Sequence, residues 1–405
     1  MMGFCFASSK RSFTTLAAVT VAGVFVGVWQ RWRKKRDRVV ALWVVRAMSP
    51  SEKLAYEKMA RDLEKEGVEL TVAQSADLSD VDLSTTVLIS NDTQFVETSG
   101  IVDRLPSLFA FILPFAGLPE STRRFFLDKR IVVGNCHANS KSTSELALAL
   151  VFAAAKRLPF ADVALRSGDW RGRGIPMKGA PEDLPSIDQV LLHGKKALVV
   201  GYGSIGKRVG SVLSAAGVAV VATGGSTSVA ASRTRSRAKK SSTDVKVYPA
   251  SDLLTLLRDA TLVVVCCPHN DETNGLFDDV AFAAMPPKAI LVNVSRGPVV
   301  NEKSVYNALA SSHLGVYASD VWWNYPENWQ TAADTSPSNH HDFSKLPPDR
   351  VIFSPHRGGA VKQNNELTRD ALQLSLKNAA NLGDITTGLF LGQDDIKRVD
   401  LQKGY

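Results

Sequence analysis

Residues 195–206 read Lys195-Lys-Ala-Leu-Val-Val-Gly201-Tyr-Gly203-Ser-Ile-Gly206. A nearly continuous apolar run ends in GxGxxG, and a helix-compatible stretch follows it. A strand buried on both faces reads as such a run, which is the signature of a parallel sheet. Glycines in this register allow a tight turn and bring backbone N–H groups close to a pyrophosphate at a helix N-terminus. GxGxxG alone is weak, since a structural glycine turn also satisfies it. The strand before it and the helix after it make a dinucleotide site the stronger reading. Gly201, Gly203, Ser204, Ile205 and Gly206 are the expected cofactor contacts.

Working outward, further apolar segments at 218–222, 262–267, 290–294 and 351–354 keep a strand–helix rhythm, which implies a parallel sheet. Upstream, 39–45, 87–90 and 109–114 read as strands and 51–66 as a helix. A long helix from about 142 to 157 leads to a Gly- and Pro-rich loop at 168–185, a natural approach to a second domain. Two polar stretches, 226–242 and 327–349, break the rhythm and read as surface loops, and there are no internal repeats.

The strand after the glycine motif ends Ala222-Thr223-Gly224-Gly225-Ser226-Thr227, without the acidic residue that usually bonds the adenine ribose. Thr223 and Ser226 offer hydroxyls, no carboxylate opposes a 2′-phosphate, and Arg233, Arg235, Arg237, Lys239 and Lys240 follow. NADP is therefore favoured over NAD, although the basic residues read equally well as a solvated loop, with Arg233 too far along to reach.

Hydrophobic content of 45% and charged content of 22% over 405 residues are those of a globular protein. Seven of the eight net positive charges fall in residues 1–38, so no broad basic face is expected and nucleic acid is not an expected partner. Cys5, Cys136, Cys266 and Cys267 show no CxxC spacing; Cys266 and Cys267 lie in an apolar run and read as buried, inert thiols of a reducing compartment. Residues 12–30 carry no charge and approach the length of a bilayer-crossing helix. Lys10 and Arg11 precede this run and six basic residues follow it, so the expected reading is a membrane anchor with the catalytic part in the cytosol. A mitochondrial targeting sequence and a cleaved secretory signal are the alternatives.

Reduction of a carbonyl by hydride needs a cation for the substrate carboxylate, an acid for the alkoxide and a fixed nicotinamide. The chain offers Asn293-Val-Ser-Arg296-Gly and Ser354-Pro-His356-Arg-Gly-Gly359, each just after an apolar strand, where open α/β sheets bind ligands. Arginine suits a carboxylate because its fork is bidentate, and histidine suits proton transfer because its pKa lies near neutrality.

The segments Pro268-His-Asn-Asp-Glu-Thr273-Asn-Gly275, Leu291-Val-Asn-Val-Ser-Arg296-Gly297 and Ser354-Pro-His356 resemble the signatures of the D-isomer-specific 2-hydroxyacid dehydrogenases, which include glyoxylate/hydroxypyruvate reductases, phosphoglycerate dehydrogenases and formate dehydrogenases. Leu165-Arg-Ser-Gly168-Asp-Trp170 and the helix entered through Asn139 to Glu145 match as well, and the resemblance runs from about residue 39 to the end.

It implies two doubly wound α/β domains: a Rossmann cofactor domain at 161–357 and a discontinuous flavodoxin-like substrate domain at 39–160 and 358–405. Before them lies the anchor or targeting segment 1–38 read above, and a homodimer is expected. Arg296 would orient the substrate and His356 would be the acid/base. Asp320 would hold the nicotinamide carboxamide, Asn139 matches a substrate-side asparagine, and Phe115-Ala-Gly117 is similar to a carboxylate-binding loop. Pro268, Thr273, Val294 and Gly358 would also meet the cofactor. The expected reaction interconverts a small 2-oxo acid and its D-2-hydroxy acid. The rivals are a membrane-tethered dinucleotide sensor or scaffold with little turnover, and formate oxidation.

One position departs from the family pattern. The partner of the histidine, usually Glu or Gln five residues after the aspartate, is Tyr325 here. A tyrosine carries no charge at neutral pH, so His356 is expected near its ordinary pKa of roughly 6.5. Glu327 could take the partner's place only with a local shift of the backbone.

Overall fold

The computed structural model describes residues 39–45, 49–74, 81–170, 189–224, 245–326, 335–382, 385–390 and 395–402. The N-terminal apolar segment, Ser226 with the basic residues after it, Glu327 and most of the 168–185 loop lie outside the described residues. The expected membrane anchoring is corrected: among the described residues no helix is long and apolar enough to cross a membrane. The helix Gln363–Leu382 has 20 residues but includes Glu366, Arg369, Asp370 and Lys377, whereas a spanning helix needs about 20 predominantly apolar ones.

The chain divides into two compact units. The first takes residues up to Ile112, Arg130–Val132 and Leu372–Gln393. Its strands β1 (Val39–Val45), β2 (Val68–Gln74), β3 (Val87–Ser90) and β4 (Ala110–Leu113) lie parallel in the order β4-β3-β1-β2. Every residue of β1 is buried, as expected of a central parallel strand. The helix Pro50–Glu64 opens with a capping box, Ser49 and Glu52 each satisfying the other's backbone N–H, and with proline in its first turn.

The second unit takes Leu113–Lys129, Val133–Ala371 and Asp394–Tyr405. It holds most of β5 (Val132–Cys136), together with β6 (Lys196–Val200), β7 (Ala219–Gly224), β8 (Lys246–Pro249), β9 (Leu262–Val265), β10 (Ala289–Asn293), β11 (Leu314–Ser319), β12 (Val351–Phe353) and β13 (Ile396–Arg398). Seven of these form one parallel sheet in the order β12-β11-β10-β9-β6-β7-β8. On one face the helix Ser140–Lys156 buries Ala147, Leu150, Val151 and Ala154 in a core shared with Val199 and Val292. The core of the other face includes Leu198, Phe277, Leu309, Tyr317 and Trp322. Layers on both faces make this a doubly wound unit.

Two features depart from the sequence reading. Strand β13 pairs antiparallel with β5, with Lys397 opposite Asn135. The stretch 335–349 is more than a surface loop, since Ser338, Phe343 and Leu346 are buried. Glu302 accepts the Ser338 hydroxyl at 2.5 Å and the backbone N–H groups of His340 and His341 at 2.7 and 3.0 Å. Phe343 stacks on Trp323 with ring centroids 5.5 Å apart. One buried carboxylate and one aromatic are enough to tie a polar segment to the core.

Candidate active site

At the C-terminal end of β6 the three glycines serve different needs. Gly201 has φ +94°, and a Cβ there would lie 2.5 Å from the Cys267 amide nitrogen. A Cβ on Gly206 would run into the Gly201 carbonyl and lie 3.0 Å from Val199 Cγ1, so glycine lets the helix Ser204–Ala215 close onto the strand. Gly203, the N-cap of that helix, has open space around its Cβ position and makes no side-chain cap. Backbone N–H groups of a first helical turn carry partial positive charge and seek acceptors. A cradle closed beneath Gly201 and Gly206 and open above Gly203 fits a dinucleotide diphosphate. It lies where β6 meets β9 and the strand order reverses, the place where doubly wound sheets bind ligands.

Along the same edge, Arg296 follows β10, Asp320 follows β11 and His356 follows β12. Asn293 braces the arginine loop: its Nδ2 donates to the Arg296 carbonyl at 3.0 Å and its Oδ1 accepts the Ser295 N–H at 3.0 Å. Arg296 Nη1 donates to the Ser295 carbonyl at 2.8 Å. A Cβ on Gly297 would strike the Trp322 carbonyl, so glycine lets the loops after β10 and β11 touch. Gly117, with φ +89°, faces the guanidinium, and a Cβ there would overlap Arg296 Nη2.

His356 has φ +53°, in the left-handed region that side chains avoid. Asp320 holds it there from both sides. Its Oδ1 accepts the Ser354 hydroxyl at 2.5 Å and the Arg357 N–H at 2.9 Å, and its Oδ2 accepts the Gly358 N–H at 2.8 Å. Trp322 Nε1 donates to the Ser354 carbonyl at 2.8 Å. The Tyr325 ring lies 5.4 Å from the His356 ring, tilted by 47°, and its hydroxyl accepts the Trp322 N–H at 3.0 Å.

Burial pushes the His356 pKa below the ordinary imidazole value; the charge of Arg296 adds to this, and Asp320 opposes both. The expected pKa near 6.5 is therefore corrected downward. Burial raises the Tyr325 phenol and Asp320 adds to the rise, while the Trp322 N–H and Arg296 oppose it. Arg296, Asp320, Tyr325 and His356 thus act on one another.

The remaining expected residues divide. Asn139 caps the helix Ser140–Lys156 beside Gly359, and its buried Oδ1 has no hydrogen-bond partner among the described residues. Thr273 closes its own loop, its hydroxyl donating to the Pro268 carbonyl at 2.7 Å. Val294 and Thr223 are buried, and the Thr223 carbonyl accepts the Gly201 N–H at 3.1 Å. Cys267 is buried, and burial pushes its thiol up to about 12, while Cys266 is partly buried. The bracing roles of Asn293 and Trp322 escaped sequence reading. Asn293 alone carried a signal, as a polar residue ending an apolar strand.

The family model for the D-isomer specific 2-hydroxyacid dehydrogenase NAD binding domain matches residues 148–358. The chain is 26% identical over 260 residues to a glyoxylate/hydroxypyruvate reductase of Arabidopsis thaliana, spanning 64% of this chain and 69% of that one. It is 28% identical over 264 residues to a D-3-phosphoglycerate dehydrogenase of Archaeoglobus fulgidus, spanning 63% of this chain and 44% of that one. Against a glyoxylate reductase of Thermococcus onnurineus it is 27% identical over 222 residues, spanning 55% and 58%. The matches thus span about half the length of the latter two relatives. Among solved structures, a D-isomer specific 2-hydroxyacid dehydrogenase of Xanthobacter autotrophicus Py2 in complex with NADPH and MES superposes with TM-score 0.63 at 20% identity, covering 90% of this chain and 99% of that one. A D-lactate dehydrogenase of Aquifex aeolicus complexed with NAD and lactic acid gives 0.59 at 18% identity, covering 85% and 96%. At such identities the structural likeness establishes the fold.

Proposed function

Because this chain belongs to the D-isomer specific 2-hydroxyacid dehydrogenase family, we propose that it reduces a small 2-oxo acid to the D-2-hydroxy acid with a nicotinamide dinucleotide. The observation that carries this reading is the joint placement of Arg296, Asp320, Tyr325 and His356 on the strand edge that also bears the glycine cradle. Glyoxylate and hydroxypyruvate are the substrates to try first.

Gly201, Gly203 and Gly206 would hold a reduced dinucleotide, which would supply the hydride when bound. Arg296 takes the substrate carboxylate in its fork, with Gly117 leaving the guanidinium room. His356, protonated, gives its proton to the carbonyl oxygen as the alkoxide develops. The carboxylate on Arg296 offsets the positive charge that depresses His356, so substrate binding itself raises the proton affinity of the acid. Asp320 keeps the imidazole aimed; a carboxylate has about four lone-pair sites, so it can also accept a nicotinamide carboxamide. Asn139, whose buried Oδ1 has no hydrogen-bond partner among the described residues, is the substrate-side residue on this reading.

NADPH is the preferred cofactor on this reading, because β7 ends in Thr223 and Gly224 with no carboxylate to repel a 2′-phosphate. The protein is a homodimer on the same reading. The helix Leu158–Arg166 buries none of its residues, and Leu158, Val163 and nearby Trp170 are 61%, 68% and 73% exposed, apolar side chains that a partner would cover. Light scattering that gave a monomer at micromolar concentration would remove the dimer.

The function is tested by following NADPH and NADH oxidation with the full chain against a panel of 2-oxo acids, with chiral analysis of the product. Turnover to the D-isomer is expected. A protein that binds both cofactors and turns over no member of the panel would overturn the reading.

A further inference from the structure

Lys397 lies on β13, opposite Asn135 of β5, and takes no part in the chemistry above. Its ammonium donates to the Ser204 hydroxyl at 2.6 Å, a contact between residues 193 apart in the chain. Ser204 is the first residue of the helix capped by Gly203. The bond thus brings the Lys397 ammonium to the first turn of this helix.

Two further observations bear on what the lysine does there. The Cβ position of Gly203 opens onto empty space, so this helix start is accessible to a ligand. The Lys397 charge is also felt inside the protein: His137 is pushed down to about 4, first by burial and then by Lys397. A partly buried cation is screened by water less than a surface lysine is, so its attraction for an anion is correspondingly larger.

We propose that Lys397 is a ligand of the cofactor diphosphate, swinging from Ser204 Oγ onto a phosphate oxygen when the dinucleotide binds; this rests on the dinucleotide reading of the Gly201–Gly206 cradle. The GxGxxG turn supplies neutral backbone donors, and Lys397 adds a full positive charge to them. It comes from the C-terminal strand rather than from the motif, so a motif-based reading of the cofactor site omits it. The contact serves NADH and NADPH alike, because the diphosphate is common to both.

The test measures affinities of the full chain for NADPH, NADH, ADP and adenosine by fluorescence and calorimetry, in wild type, Lys397→Met and Lys397→Arg. Lys397→Met is expected to weaken NADPH, NADH and ADP by about tenfold or more, the size of one hydrogen bond between charged groups. Adenosine should be unaffected, and Lys397→Arg should restore most of the loss. Equal affinities for all four ligands in wild type and Lys397→Met would overturn the role of the lysine and leave the dinucleotide reading standing. A wild-type chain that binds neither dinucleotide would overturn both. A second measurement needs no variant: ADP should slow acetylation of the Lys397 amine in the wild-type chain, read by mass spectrometry, and adenosine should not. Equal labelling rates with ADP and adenosine would also overturn the proposal, and would show that the Ser204 contact is internal only.

Discussion

Tyr325 and His356 lie with ring centroids 5.4 Å apart, and the tyrosine oxygen accepts the Trp322 N–H at 3.0 Å. A neutral phenol beside the imidazole adds no charge that would hold it protonated, as a carboxylate would. Burial and Arg296 hold the His356 pKa below its ordinary value, and reduction needs the protonated form. Reductive kcat/KM is expected to fall with rising pH along a limb acidic of about 6.5. The limb in kcat should lie at higher pH, since bound substrate offsets Arg296. Tyr325→Glu should move the kcat/KM limb upward by about one unit or more. A profile flat through this range and unchanged in Tyr325→Glu would assign the proton to another group.

Gly117→Ala should act on the substrate and spare the cofactor. The new Cβ overlaps Arg296 Nη2, and the long arginine side chain yields by moving away. KM for the 2-oxo acid is expected to rise about 10- to 100-fold, as when a charge-assisted hydrogen bond is lost. The left-handed backbone adds a stability cost of about 1–2 kcal/mol. Steady-state kinetics with a cofactor titration separates the two effects; an unchanged KM would place the carboxylate elsewhere.

The glycine cradle separates structure from binding. Gly201→Ala puts a Cβ against the Cys267 backbone at φ +94°, and a loss of about 2–5 kcal/mol is expected in denaturant unfolding. Gly203→Ala meets nothing within 4 Å and should unfold within about 1 kcal/mol of wild type, while its affinity for NADPH and NADH drops. A Gly203→Ala protein with native affinity would place the diphosphate elsewhere.

Glu302 holds the 338–341 turn, and its removal should be felt as stability rather than catalysis. Burial pushes its pKa up, but bonds from Ser338 and from the N–H groups of His340, His341 and Asn339 outweigh this and leave it lowered. A depressed carboxylate contributes stability that is present above its unfolded pKa of about 4.3 and lost as pH falls through the lower folded value. Glu302→Ala should cost about 1–3 kcal/mol at pH 7 by leaving buried donors unpaired. The gap between variant and wild type should narrow as pH drops below about 4. A gap constant with pH would mean that the loss is one of packing alone.

Much of the second unit is legible in the sequence, because each parallel strand is buried on both faces and prints a near-continuous apolar run. The expected segments at 262–267, 290–294 and 351–354 each fall within a residue or two of a strand. Strands lacking that run were missed. In β2, Glu69 and Thr71 interrupt the pattern, and β13 is three residues long. The stretch 335–349 misled in the other direction: its composition is polar, and its docking depends on Glu302, thirty-odd residues away.

The local chemistry was set by the sequence alone: glycines that must turn between β6 and its helix, and Arg296, Asp320 and His356 each just beyond a strand end. Such features depend on neighbours in the chain, whose φ and ψ preferences and burial pattern travel with the residues. The tertiary structure decided what those groups feel. The direction of the His356 pKa, the grip of Asp320 on both sides of it and the arrival of Lys397 at Ser204 depend on burial and on charges brought together from distant segments. Burial and Coulomb interaction act through space, and sequence separation carries no measure of that distance.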